Sequence, residues 1–105
     1  MRAMSGPHEW TLSETRERLA SGEVSSCEVV ESLLVAIEQR NRDLNAYISV
    51  DAEAALAEAR KADERRVRGD AAPLLGVPIG LKDNIAVSGE PCTCASRILR
   101  GYRSP

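Results

Sequence analysis

The segment that most constrains the fold is the run at residues 74–81, which reads LLGVPIGL and is almost wholly apolar. The turn-rich link at residues 69–73 precedes it, and a polar group follows it. A short apolar run with such boundaries predicts a strand that is buried on both faces. Because a buried strand needs neighbours on both edges, the prediction is a sheet, and therefore an α/β fold.

Three polar residues, Lys82, Asp83 and Asn84, come directly after this run. Polar side chains at strand ends are where α/β proteins place their chemistry. Desolvation favours the neutral form of a lysine amine, and a neutral amine can accept the proton of a serine hydroxyl. The alternative is an exposed Lys82 paired with Asp83, in which the ion pair would hold the amine protonated.

Two helices are predicted in the first half of the chain. Residues 11–20 form a short one, with Thr11 or Ser13 as its cap. The second starts at a capping box formed by Ser25 and Glu28. Its apolar residues follow at helical spacing and predict a face that docks on another element: Val30, Leu33, Leu34 and Ile37.

A change of pattern separates the second helix from a third. Residues 44–50 favour an extended segment or a short strand. Asp51 then caps a helix over residues 52–67, where Glu64 lies four residues before Arg68 and forms a supportive pair. The mixed charges at the end of this helix indicate a solvated surface.

Composition narrows the class of protein. The chain has 105 residues, a net charge of −2, and 43% hydrophobic but only 3% aromatic residues. This suits one small folded domain and gives no basic surface for nucleic-acid phosphates. No apolar run approaches the ~20 residues of a membrane-spanning helix, and the first ten residues lack the apolar stretch of a signal peptide, so a cytoplasmic location is expected.

The cysteines give no sign of a disulfide framework or a metal site. Their number is odd, and Cys92, Cys94 and the single histidine, His8, lack the spacing of a zinc site. We expect reduced thiols and no metal.

Residues 73–85, PLLGVPIGLKDNI, resemble the G-[IV]-P-[IV]-x-[IVL]-K-D-N segment of the amidase-signature family. Residues 21–26 and 42–48 are similar to its first helical stretch and the strand that follows, so the resemblance covers residues 12–105. It implies the N-terminal portion of the family's α/β/α fold, with two to three helices and the first strands of an incomplete mixed sheet. Residues 1–105 would be part of a single domain, helical over 11–68 and carrying the strand and lysine segment over 74–100.

Residues 92–99, CTCASRIL, are similar to the T-T-C-A-S-[KR]-I-L run found in the family's tRNA-dependent amidotransferase branch, with Cys92 in place of the usual threonine. Members of this branch are the A subunits of those enzymes. They hydrolyse glutamine and pass ammonia to the B subunit, which uses ATP and Mg²⁺ to convert Glu-tRNA(Gln) or Asp-tRNA(Asn) to Gln-tRNA(Gln) or Asn-tRNA(Asn). The implied partners are subunits B and C, with misacylated tRNA held through the B subunit. A stand-alone amidase of the same family is the alternative.

The resemblance implies a triad of a serine, a second serine on a cis peptide, and a lysine, in which only Lys82 has a counterpart here. Ser88, Ser96 and Ser104 do not lie in a Gly/Ser-rich stretch like the one that supplies the family's serines, and Ser96 is predicted to cap a helix that begins at Arg97. We therefore expect the N-terminal fragment of a longer enzyme, inactive by itself. The alternative from a different class is a short, non-catalytic interaction module.

Overall fold

The computed structural model describes residues 6–105, which contain three α-helices: α1 at Leu12–Ser21, α2 at Ser26–Leu44 and α3 at Ala52–Val67. Two short 3-10 helices lie at Pro7–Glu9 and Arg97–Leu99. The described residues contain no strand, and a single antiparallel bridge joins Pro91 to Arg103. The first ten residues were predicted to contain no signal peptide. Of these, residues 1–5 lie outside the described part of the chain.

The first helix forms as its sequence predicts, with Thr11 rather than Ser13 as the cap. The backbone N–H of Glu14 donates to the Thr11 hydroxyl at 3.1 Å, and the Thr11 N–H donates to the Glu14 carboxylate at 2.8 Å. This reciprocal pair satisfies two backbone donors at the helix start. Gly22 ends the helix in the left-handed conformation, with φ of 78°.

The predicted starts of the other two helices are also confirmed. The Ser25 hydroxyl accepts the Glu28 N–H at 3.1 Å, and the Asp51 carboxylate accepts the Ala54 N–H at 2.9 Å. The predicted pair of Glu64 and Arg68 forms at 3.5 Å on the exposed side of α3. Each of these contacts joins residues three or four positions apart, so local sequence specifies them.

The strand predicted over residues 44–50 is wrong, because no second segment within residues 6–105 pairs with it. These residues are exposed, and the side chain of Asn41 bonds both backbone groups of Tyr47, accepting its N–H at 2.8 Å and donating to its carbonyl at 3.0 Å. The Asn41 amide thus supplies the hydrogen bonds that a partner strand would have given to the backbone of Tyr47.

The strand predicted over residues 74–81 is also not formed. Residues 73–76 make a turn, in which Leu75 donates to Ala72 and Val77 donates to Leu74, each at 3.1 Å. The chain then runs on to Lys82 without regular structure or ladder bonds. The predicted mixed sheet is therefore not formed within residues 6–105, since its strands have no neighbours there. The predicted helices do form.

The helices share a small core. Leu19, Val24 and Val29 are buried together, with partly buried Trp10, Leu33 and Val77 packed against them. The accessible surface is 8042 Å², compared with about 5,800 Å² for a compact chain of this mass. The radius of gyration, 15.3 Å, likewise exceeds the ~13 Å of a compact domain. More surface is therefore accessible than in a compact chain, and many large apolar side chains are among the exposed residues.

The exposed apolar side chains include those around Lys82. Ile79 is 74% exposed, Leu81 53% and Ile85 50%. None of the helices within the described range is both long and apolar enough to cross a membrane.

Candidate functional site

Lys82 lies in an irregular stretch of chain, one residue before a turn. The N–H of Ile85 donates to the Lys82 carbonyl at 2.9 Å, which closes the turn. The side chain of Lys82 is exposed, and no ion pair within residues 6–105 includes it. The expectation that this lysine ends a buried strand is therefore wrong for this chain, because the segment before it has no flanking strands in the part of the chain that the structure describes. Its role as a base stays a prediction.

Asp83 directs its carboxylate to Thr93 rather than to the neighbouring lysine. The carboxylate oxygens accept the Thr93 N–H at 3.1 and 3.2 Å and also accept the Thr93 hydroxyl. The Thr93 hydroxyl, followed by the Thr93 N–H, lowers the pKa of Asp83 below its usual value because these bonds stabilise the charged form. The alternative pairing of Lys82 with Asp83 is thus not the one that forms.

The backbone of Asp83 is held by the same turn. Its carbonyl accepts the N–H of Cys94 at 3.1 Å and the thiol of Cys92 at 3.4 Å. Cys92 is buried, and burial raises the pKa of its thiol. Residues 92–94 therefore fix both the side chain and the backbone of the residue that follows Lys82.

The segment that leads to Lys82 is anchored at its other end by all three helices. Each helix donates one side-chain hydrogen bond to a backbone carbonyl of residues 73–76. The bonds run from Arg16 of α1 to Pro73 at 2.9 Å, from Ser26 of α2 to Gly76 at 2.7 Å, and from Arg66 of α3 to Leu75 at 2.6 Å. The turn at residues 73–76 is therefore fixed relative to the helices.

A carboxylate of α3 joins this helix to α2. Asp63 accepts the backbone N–H of Ser26 at 2.7 Å and that of Cys27 at 3.1 Å, at the first turn of α2. A negative charge at a helix N-terminus satisfies free donors and complements the helix dipole. Burial, and next the contact with Asp63, raises the pKa of the Cys27 thiol.

The contact of Asp63 with α2 was not predicted from the sequence. Asp63 lies within the charged stretch of α3 that indicated a solvated helix end. A charged residue that packs on a neighbouring helix has the same local pattern as one that faces water. The missed contact spans 36 and 37 residues of sequence. No local signal would have identified it.

The three serines considered from sequence have separate surroundings. Ser96 accepts the Ile98 N–H at 3.3 Å and caps the 3-10 helix at Arg97–Leu99, so the predicted cap is confirmed. Ser88 is exposed. Ser104 is buried, and its hydroxyl has no hydrogen-bond partner within the described residues. Across residues 6–105, no three His, Cys, Asp or Glu side chains are grouped as metal ligands.

The sequence that contains Lys82 matches a known family. Residues 28–105 fit the family model described as Amidase. The chain belongs to the amidase family. The matched range of this amidase-family chain includes Lys82 and Asp83, residues 92–94 that contact Asp83, and the turn at residues 73–76 that the helices anchor.

Relatives of this amidase-family chain include proteins named as the A subunit of glutamyl-tRNA(Gln) amidotransferase. The protein from Roseiflexus sp. (strain RS-1) is 45% identical over 95 residues, which is 90% of this chain and 20% of the relative. That from Desulforapulum autotrophicum is 50% identical over 95 residues, covering 90% and 19%. That from Chloroflexus aggregans is 46% identical over 103 residues, covering 97% and 21%. The chain therefore spans about a fifth of the length of these relatives.

Proposed function

We propose that this chain supplies the lysine segment of the glutamine-hydrolysing A subunit of a tRNA-dependent amidotransferase, with Lys82 as the base of a serine, cis-serine and lysine triad. The observation that carries the proposal is 45% to 50% identity, over at least 90% of the chain, to proteins named as that subunit. In the full enzyme, the released ammonia would convert Glu-tRNA(Gln) or Asp-tRNA(Asn) to the amidated product.

The proposed chemistry needs a base beside a nucleophile. A neutral lysine amine accepts a proton from a serine hydroxyl, and the activated oxygen attacks the carboxamide carbon of glutamine. Lys82 would take the proton through the second serine and later return it to the leaving ammonia. Both serines and the donors that stabilise the oxyanion would come from the four-fifths of the relatives' length that this chain does not span. We propose that the chain alone is inactive.

The exposed apolar surface around Lys82 supports its association with the part of the full-length enzyme that this chain does not span. Ile79, Leu81 and Ile85 are all at least half exposed, and Lys82 lies between them. Burying these side chains would exclude water from the amine and favour its neutral form. We propose that residues 74–81 become the predicted strand of the family's mixed sheet when neighbouring strands are present on both edges.

The partners proposed for the full-length protein are subunits B and C, with misacylated tRNA held by the former. ATP and Mg²⁺ would act in the rest of the complex, which is proposed to be cytoplasmic. The chain's balanced charge, with 14 Lys and Arg against 16 Asp and Glu, agrees with contact to tRNA through another component of the complex.

The test replaces the 95 aligned residues of the Roseiflexus sp. protein with the aligned residues of this chain and assembles the chimaera with subunits B and C of that organism. We expect release of ammonia from glutamine, and we expect Lys82→Met to reduce it by about 10²- to 10⁴-fold, as for loss of a positioned base. Lys61→Met is the matched control, because Lys61 is exposed and pairs with Glu58 on the surface of α3.

A chimaera that assembles with both partners and keeps its glutaminase activity in the Lys82→Met form would contradict the proposal. Activity on short amides but not on glutamine would instead favour the stand-alone amidase. A folded chimaera that binds both partners and hydrolyses neither class of amide would favour the interaction module.

A further inference from the structure

The carboxylate of Asp83, the residue next to the proposed base Lys82, is directed away from the lysine. Asp83 follows Lys82 directly, yet its carboxylate accepts hydrogen bonds from the N–H and the hydroxyl of Thr93, ten residues further on. The carbonyl of Asp83 is fixed by Cys92 and Cys94 at the same time. The carboxylate therefore cannot turn toward the lysine without breaking its contacts to Thr93.

This geometry matters because a lysine has a long flexible side chain that can reach a carboxylate on the adjacent residue. A carboxylate beside an ammonium favours the charged amine, which cannot accept a proton. The chain's other lysine shows the contrast, since the Lys61 amine lies 2.8 Å from the Glu58 carboxylate. Lys82 has no such pair within residues 6–105.

We propose that Thr93 is a positioning residue for Lys82, because it holds the Asp83 carboxylate away from the Lys82 amine. The inference rests on the proposed role of Lys82 as a base. The hydroxyl of Thr93 is the group that decides the outcome, since it competes with the lysine for the same carboxylate. The Thr93 N–H is a backbone donor and remains in any variant at this position.

The test measures how fast each lysine of the 105-residue chain is acetylated by sulfo-N-hydroxysuccinimide acetate at pH 8. Only the uncharged amine reacts, and mass spectrometry resolves Lys61 from Lys82. In Thr93→Val the Asp83 carboxylate keeps the Thr93 N–H but loses the hydroxyl, which makes it available to the lysine, so we expect the Lys82 rate to fall about threefold, the size of an exposed ion pair. The Lys61 rate stays unchanged, and Thr93→Ser, which keeps the hydroxyl, restores the original Lys82 rate.

A second substitution separates this mechanism from simple loosening of the turn. Asp83→Asn in the Thr93→Val background removes the charge, so the Lys82 rate is expected to return to its original value. An unchanged or faster Lys82 rate in Thr93→Val overturns the proposal, and so does a slow rate that persists in the double variant. Acetylation needs no amide substrate, so a chimaera that fails to hydrolyse glutamine would count against the proposed function alone.

Discussion

The hydroxyl of Ser26 donates a 2.7 Å hydrogen bond to the carbonyl of Gly76, which joins the first turn of α2 to the segment that leads to Lys82. Gly76 has a φ of +81°, and a Cβ at this residue would lie 3.1 Å from the Ser26 Cβ. Gly76 therefore takes a left-handed backbone conformation, and a Cβ there would lie closer to Ser26 than ordinary van der Waals contact.

Gly76→Ala is expected to loosen this junction more than Gly22→Ala does. Both glycines have a left-handed φ, but an added Cβ at Gly22 meets nothing within 4 Å. Both variants lose the conformational freedom of glycine, and Gly76→Ala also crowds Ser26, which adds about 1 kcal/mol. Amide hydrogen exchange at Val29 and Val30 in the two variants measures the difference. Equal exchange rates in the two variants would contradict the crowding argument.

Asp63→Ala is expected to destabilise the start of α2 by about 1 kcal/mol, since the variant removes the acceptor of the Ser26 and Cys27 N–H groups. Faster hydrogen exchange in the first turns of α2 would report the loss. The matched control is Glu64→Ala, one residue away, which removes only the exposed pair with Arg68 and is expected to change stability by less than about 0.5 kcal/mol. Identical exchange in both variants would show that the Asp63 contacts do not stabilise α2.

Leu19→Ala is expected to lower the stability of the helical core by about 2 kcal/mol or more, because Leu19 is 1% exposed and packs with Val24 and Val29. Urea unfolding followed by helical circular dichroism measures the shift in midpoint. Leu12→Ala, in the same helix but 55% exposed, is expected to stay within about 0.5 kcal/mol of the parent chain. A similar loss from both variants would mean that the core is not where burial places it.

The contact between Asp83 and Thr93 is expected to be lost in acid. The pKa of Asp83 is lower in the folded chain than its ordinary value, so its contribution is present above the ordinary aspartate pKa of about 3.9 and disappears as pH falls through the lowered value. The amide proton shift of Thr93 between pH 6 and pH 2 would follow this titration. In Asp83→Asn that shift should flatten, while the Ala72 amide, which donates to Asp70, should titrate as before.

The helices could be predicted because their caps act over three residues. Thr11, Ser25, Asp51 and Ser96 each accept a backbone N–H from two or three positions ahead, and such contacts form in any context that leaves the segment helical. Local contacts of this kind could not decide whether the two predicted strands, over 44–50 and 74–81, would form. Strand hydrogen bonds join distant segments, and no local pattern shows whether a neighbour is present.

The sequence by itself determined where α1, α2 and α3 begin and that Lys82, Asp83 and Asn84 follow an apolar run. It also carried the family resemblance that the match to residues 28–105 confirms. Only the tertiary structure decided which partners Asp63 and Asp83 take. Asp83 binds a threonine ten residues away, and Asp63 caps a helix that starts 37 residues earlier, because an acidic side chain accepts whichever donors the folded chain brings within hydrogen-bonding distance.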